Sequence, residues 1–450
     1  MTKEERIKKH LEQEPGLAFI PDFLKHFPKA ELFLVGGAVR DAMINRSMKE
    51  LDFDFVIRGA KAQELHDWFE KRGHIDLVGR DFGVFKFMPD GFTTDNLQFI
   101  DIALPRTEAA HPDNVGGYKE FDIQSDPNLS IEDDLSRRDF TVNALAFDVK
   151  KGLLIDPFNG QRDLEQRIIR TVGDPKERFS EDMSRILRAM RFAAELQFEI
   201  ETDTLAAVRT LAERVNNKRK RKEELEYIIP RETLGSELGK ALERNPSGAV
   251  DWLIKTKLML ALFPEIQQVI DVDTAYLLPM HQLKEGCLMI TTTLLLRAVE
   301  PNQVEPILAR TGMNTLPRDS SRRLDIHMVH WIITRLHPPI TPQDVEDMPA
   351  AEFEKYFFNN NGRHMLKILN FLGHAEVGVA ARNRKQTIEN RWLIEPGETI
   401  PPLLSGDDVL KAGIEQGPKV RKILEDCRSR QLSGELMTRE AAKTWLTTRT

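Results

Sequence analysis

Between residues 30 and 165 short apolar runs alternate with turns rich in Gly, Pro and Asp. Runs of this length and spacing predict β-strands at residues 31–35, 53–58, 83–88, 97–103, 141–147 and 153–156. Residues 60–72 break the pattern, because Leu65, Trp68 and Phe69 recur at the spacing of one helical face. From Leu164 onward the strand pattern fades. The chain there predicts helices broken at Pro230, Pro246, Pro264, Pro279, Pro338-Pro339 and Pro401-Pro402. The expected fold class is therefore α+β: a head with a mixed β-sheet and helices, followed by all-α segments. Residues 107–134 are acidic and turn-rich, with Pro112, Gly116-Gly117 and Pro127, and are expected to form a flexible loop.

Composition narrows this picture. A chain of 450 residues with 41% hydrophobic and 30% charged residues has enough apolar content for several cores. Two cysteines, Cys287 and Cys427, give no disulfide framework and suit a reducing compartment. The start, Met1-Thr2-Lys3-Glu4-Glu5-Arg6, carries no apolar run, and the greasiest stretch, residues 287–296, is too short to span a bilayer. A cytoplasmic chain without membrane contact is the expectation. The net charge of −7 excludes a chain-wide basic coat. Local basic clusters remain, at Arg137-Arg138, at Arg185/Arg188/Arg191 and at Lys218-Arg219-Lys220-Arg221-Lys222.

The first candidate chemistry is Asp52-Phe53-Asp54. On a strand both carboxylates face one side, and two acids at one spot suit a hard divalent cation such as Mg²⁺. The turn Val35-Gly36-Gly37-Ala38-Val39-Arg40-Asp41 precedes them, and its glycines let the backbone approach phosphates. A solvated strand face carries Asp-x-Asp equally well, and this spacing alone does not choose. Asp101, at the end of an apolar strand, adds a third acid or a plain strand end. Arg137-Arg138-Asp139-Phe140-Thr141-Val142-Asn143 combines bidentate phosphate donors with an acid and an amide, or forms an internally paired loop. In the block from Asp174 to Ala193, Ser180-Glu181-Asp182 predicts a helix start, with Asp182 and Arg185 as neighbours on one helical face. Arg188 and Arg191 continue that face. An acid acceptor beside an arginine donor is either a simple ion pair or a reader of base edges, since cytosine and adenine both present an amino group.

Taken in order, Leu34-Val35-Gly36-Gly37-Ala38-Val39-Arg40-Asp41, Asp52-Phe53-Asp54, Arg137-Arg138-Asp139-Phe140-Thr141-Val142-Asn143-Ala144 and Glu181-Asp182-x-x-Arg185-x-x-Arg188-Ala189-x-Arg191-Phe192-Ala193 resemble the class II tRNA nucleotidyltransferases (CCA-adding enzymes) and their poly(A) polymerase relatives. Asp156-Pro157-Phe158-Asn159-Gly160 through Asp174 is similar to the family's linker, the segment from Pro230 to Leu242 to its helical motif beyond the neck, and Leu404-Ser405-Gly406-Asp407-Asp408 to the tail of bacterial members. The resemblance implies a nucleotidyltransferase head at 1–163, a helical neck selecting the nucleobase at 164–229, a helical body at 230–395 and a tRNA-binding tail at 396–450. It implies template-independent addition of CCA to the 3′ end of tRNA from CTP and ATP, with no protein partner. Asp52 and Asp54 would hold two Mg²⁺ ions and Asp101 would complete the catalytic acids. Gly37, Arg40 and Arg138 would grip triphosphate or ribose, with Asn143 in support. Asp182 and Arg185 would read the base, and Arg188 and Arg191 would line the same pocket.

The run from Lys218 to Lys222 is then a solvated helix face or a phosphate contact to the acceptor stem. Asp81 stands where poly(A) polymerases carry a basic residue, which resembles the CCA side, and the 107–134 segment is full length, unlike that of A-adding members. CC-adding-only and poly(A) polymerase activities remain alternatives, and so does an inactive RNA-binding module. His66-Asp67 is the single His-Asp dipeptide and Met280-His281-Gln282 lacks the acid, so no accompanying phosphohydrolase is expected.

Overall fold

A computed structural model describes residues 2–449 except 47–52, 78–83, 92–98, 111–116, 118–120, 222–223, 284–285, 317–323, 359 and 393–398. The chain divides into two compact units, Met1–Ala241 with Gly248–Leu262, and Leu242–Ser247 with Phe263–Thr450. Among the described residues no helix is long and apolar enough to cross a membrane.

The first unit begins with helices α1 (Lys3–Gln13) and α2 (Ile20–His26), followed by β1 (Glu31–Val35), α3 (Gly37–Met43), β2 (Asp54–Arg58) and α4 (Ala62–Glu70). Then come β3 (Gly73–Leu77), β4 (Val84–Pro89), β5 (Ile100–Ala103), β6 (Arg106–Ala110), β7 (Phe121–Ser125), α5 (Ile131–Ser136), β8 (Ala146–Asp148) and β9 (Leu153–Ile155). A mixed seven-stranded sheet has the order β3-β4-β5-β2-β1-β8-β9. Only β2 and β5 pair in parallel within it; the other neighbours are antiparallel.

Strict alternation decides what each sheet face does. Phe55, Phe85, Phe87, Ile100 and Ile102 turn to one side and are buried, and Phe87 meets Phe19 and Phe69 at ring-centroid distances of 5.5 and 4.7 Å. That face is closed by the N-terminal segment and α4, whose Leu65, Trp68 and Phe69 are buried as the helical spacing predicts. On the other face Phe33, Val35, Val56, Ala144 and Ala146 pack with Ile131 and Leu135 of α5 and with Val172. The row at the end of β2 on this second face is polar, and it forms the site.

Several expectations change here. Residues 107–134 are not a plain loop: they carry the β6–β7 hairpin and α5. Ser130 and Asp133 form a capping box that starts α5, and Ile131 and Leu135 bury its apolar side. The strand expected at 141–147 shortens to β8, because Thr141–Asn143 winds into a 3₁₀ turn. Thr141 Oγ1 donates to Asp163 at 2.6 Å, and Asn143 Nδ2 donates to Asp139 at 3.1 Å, which holds the turn. Strand β3 was not expected, since Gly73-His74-Ile75-Asp76-Leu77 carries too few apolar residues to signal one.

The remainder of the first unit is mostly helical, with α6 (Gly160–Gln166), α7 (Pro175–Glu181), α8 (Ser184–Leu196), α9 (Thr202–Leu211) and α10 (Arg231–Arg244). It is not free of strands. β10 (Ile168–Ile169) pairs in parallel with β11 (Glu199–Ile200), and β12 (Lys218–Arg221) forms a hairpin with β13 (Glu224–Tyr227). The basic run therefore lies on a strand rather than a helix face; Lys222 lies outside the described residues. The second unit is helical, from α13 (Pro264–Val272) to α24 (Arg439–Thr447), after α11 (Pro246–Lys255) and α12 (Leu258–Leu262). Its C-terminal helices enclose a small core of Leu404, Val409, Ile414, Ile423, Cys427, Leu436, Ala442 and Leu446.

Candidate active site

Asp54 opens β2 and pairs in register with Val35 on β1 and Asp101 on β5; Asp101 pairs in turn with Lys86 on β4. Cross-strand partners share a face, so Asp54, Asp101 and Lys86 form one polar row. Asp54 and Asp101 are both half-buried, and Lys86 Nζ lies 3.8 Å from Asp101 Oδ1. Asp52 lies outside the described residues. Two oxygen donors on neighbouring strands fit a hard divalent cation.

The turn after β1 comes up against this row. Gly36 has φ +72°, and a Cβ there would lie 2.8 Å from Arg138 Nη1 and 3.8 Å from Asp54 Oδ2. Glycine is thus required both by conformation and by the approach of Arg138. The demand falls on Gly36; Gly37 is the first residue of α3, beside the Arg40 guanidinium. Arg138 Nη2 donates weakly to Asp134 at 3.4 Å, while its Nε has no hydrogen-bond partner among the described residues. Asp134 is fully buried and also accepts from Arg137 at 2.7 Å. Burial pushes its carboxyl up, but the guanidinium groups of Arg137 and Arg138 outweigh that and hold it below the usual range.

Arg40 points inward. It donates to Asp41 Oδ1 at 2.8 Å, to Asp41 Oδ2 at 3.0 Å and to Asn143 Oδ1 at 2.6 Å, and it lies over the Phe192 ring. Asn143 passes the link on to Asp139, which accepts from Arg188 Nε at 2.7 Å. Burial opposes ionisation of Asp139, yet Arg188 and the Asn143 amide bring its pKa down to about 2. A continuous chain, Arg40–Asn143–Asp139–Arg188, joins α3 to α8. Phe192 is its apolar keystone, with Arg40, Arg188 and Arg191 placed 5.2, 5.2 and 4.0 Å from its centroid.

The base-reading segment is built differently from its expected form. No helix starts at Ser180: α7 runs from Pro175 to Glu181, with Asp174 as its cap, and α8 begins at Ser184. Asp182 sits between the two helices in an extended conformation (φ −148°, ψ 102°), so Asp182 and Arg185 do not share a helical turn. The Ser180-Glu181 pair misleads because the stronger cap, Asp174 followed by Pro175, starts the helix earlier. Asp182 is buried and accepts from the Ser184 amide at 2.8 Å; burial raises its pKa. Arg185 donates to Glu181 at 3.0 Å and to the carbonyl oxygens of Arg178 and Arg137 at 3.2 Å each. Arg191 is buried between Glu237 at 2.5 Å and Glu195 at 3.3 Å, inside the helical packing.

Asp134, Glu181, Glu237 and Phe192 hold these arginines, and no role in the site was assigned to them from the sequence alone. Lys86 was also missed, although the alternation Phe85-Lys86-Phe87 against Ile100-Asp101-Ile102 places it on the acid face. His66 and Asp67 lie with Glu70 on the outer side of α4, an ordinary polar helix surface. His281 Nδ1 bonds Ser247 Oγ at 2.8 Å in an exposed pair.

Comparison with known proteins finds similar sequences and a shared fold. Residues 32–170 match the poly A polymerase head domain. The "Multifunctional CCA protein" of Stenotrophomonas maltophilia is 37% identical over 246 residues, 54% of this chain and 53% of that protein. Its counterpart from Xylella fastidiosa is 37% identical over 244 residues, 53% and 51% of the two chains. The chain thus spans about half the length of the curated relatives it matches. The Bacillus stearothermophilus CCA-adding enzyme in complex with CTP shares the fold with a TM-score of 0.67 at 23% identity, over 97% of this chain and 98% of that one. The Thermotoga maritima CCA-adding enzyme complexed with tRNA aligns at a TM-score of 0.55 and 20% identity, over 99% and 98%. Residues 32–170 are thus similar to the poly A polymerase head domain, about half of the chain is similar in sequence to multifunctional CCA proteins, and the whole chain shares the fold of CCA-adding enzymes.

Proposed function

We propose that this chain adds CCA to the 3′ end of tRNA, taking CTP and ATP as substrates, releasing pyrophosphate and needing no nucleic-acid template. The observation that carries this reading is the gathering of these groups in the first unit. The Gly36 turn lies against both Arg138 and Asp54, Arg138 and Arg137 share Asp134, and the Arg137 carbonyl accepts from Arg185. Arg185 and Arg188 in turn act electrostatically on Asp182.

Asp54 and Asp101, with Asp52, would hold Mg²⁺. Bound there, Mg²⁺ supplies activation of the tRNA 3′-hydroxyl and neutralisation of the triphosphate. Arg138, whose Nε keeps a free donor among the described residues, faces the Gly36 turn and grips the triphosphate. Arg40 and Asn143, hydrogen-bonded to Asp41 and Asp139, brace the turn beside the nucleotide. Arg188 and Arg191 act in the same way, setting α8 against the head. Transfer forms a bond from the 3′-oxygen to the α-phosphorus and breaks the bond to the bridging oxygen, which leaves with pyrophosphate. The Asp182 carboxylate accepts from the amino group shared by cytosine and adenine, and Arg185 donates to the ring acceptors.

The remaining assignments follow this reading. The head spans residues 1–163, the neck 164–229, the body 230–395 and the tail 396–450, and the tail binds tRNA. Lys218 and Lys220 share one face of the β12–β13 hairpin with Leu225 and Tyr227, which suits contact with the phosphates of the acceptor stem. The chain works in the cytoplasm, with its tRNA. Asp182→Ala tests the base reader. Incorporation of UTP and GTP relative to CTP is expected to rise at least tenfold, roughly the worth of one good base contact. Unchanged discrimination would refute the assignment.

A further inference from the structure

Among the described residues, Lys86 is the one cation in the cross-strand row that carries Asp54 and Asp101. Its place is fixed by the ladder, since β4 pairs with β5 at Lys86↔Asp101 and β5 pairs with β2 at Asp101↔Asp54. Phe85 and Phe87, buried on the opposite face, leave Lys86 no other direction. Its ammonium lies 3.8 Å from Asp101 Oδ1 and 6.0 Å from the Phe99 centroid. Both side chains of the pair are 43% exposed, so the contact is wet and weak.

A strong buried pair would block the seat, and a bare acid row would take up divalent ions without substrate. A weak, exposed pair does neither. We propose that Lys86 is a built-in counter-cation of the acid row, which competes with the divalent ion for Asp101. Metal alone then binds poorly, and the seat fills efficiently only with a metal that arrives on a polyanion. The released ammonium stays beside the row, where it attracts the phosphates. This inference rests on the metal-seat reading of Asp54 and Asp101.

The test titrates the full-length chain with Mn²⁺ alone, without nucleotide or tRNA, and follows free Mn²⁺ by electron paramagnetic resonance. Lys86→Met keeps the stem and removes the charge; Lys86→Arg keeps the charge. Lys86→Met is expected to bind Mn²⁺ about three- to tenfold more tightly than the wild type, the size of a unit-charge interaction at about 4 Å screened as in bulk water. Lys86→Arg should match the wild type. In an Asp101→Asn background the gain should vanish, because the pair no longer exists. Equal or weaker binding by Lys86→Met, or a gain that survives in Asp101→Asn, overturns the proposal. Wild-type binding that Asp54→Asn leaves unchanged overturns the metal seat itself, and the proposal with it. Circular dichroism of each variant separates these outcomes from misfolding.

Discussion

Asp139 shows how single residues hold this site at a cost that can be measured. It is buried, and it keeps its charge only because Arg188 and Asn143 surround it. Its pKa of about 2 lies below the ordinary 3.8, so it contributes stability at pH values above 3.8 that is lost as pH falls toward 2. The shift corresponds to about 2 kcal/mol. Asp139→Asn is therefore expected to unfold at lower denaturant concentration than the wild type at pH 7, with the gap closing between about pH 4 and pH 2. A gap independent of pH would mean that the carboxylate charge is not what holds Arg188. Asp182 has the opposite sign, since burial raises its pKa and a charged Asp182 burdens the fold above the ordinary carboxylate range. At this scale the sequence was legible where a motif demanded a residue type, as at Asp54, Asp101 and Arg138. It was not legible in pairing: nothing local tells that Arg191 turns to Glu237, 46 residues away, or that Arg40 is spent on Asn143, 103 residues away.

Among the elements, α5 and the α7–α8 junction carry most of what pattern reading missed. Helix α5 rests on the Ser130–Asp133 capping box and brings Asp134 beneath Arg137 and Arg138. Ser130→Ala is expected to cost about 1 kcal/mol, a loss in Tm of about 2–4 °C for a unit of this size, measured by thermal unfolding. No loss would show that Asp133 and the packing of Ile131 and Leu135 suffice. A six-residue helix is too short for periodicity to reveal, and acidic residues there look like loop. Strands β4 and β5 were legible because each alternates between a buried and a polar face, and β1 and β2 because each is a short apolar run buried on both faces. The β12–β13 hairpin was not, because Lys218-Arg219-Lys220-Arg221 has no apolar face to mark a period.

For the whole molecule, the division into an α/β head and a helical remainder was legible from Leu164 onward, where strand patterns give way to proline-punctuated helices. The short β10–β11 and β12–β13 pairs escaped because pairings of two and four residues leave almost no periodic trace. The motifs spread across the first unit acquire one meaning only when they are read together on the fold, and the meaning we propose is ordered nucleotide addition. The most direct test incubates the full chain with Mg²⁺ and a tRNA transcript ending before its CCA, with each nucleoside triphosphate singly and then with CTP and ATP together. CTP alone should add two residues, CTP with ATP should complete CCA and stop, and UTP or GTP should add nothing. A chain of A residues from ATP alone, arrest after CC with ATP present, or no addition at all would contradict the account.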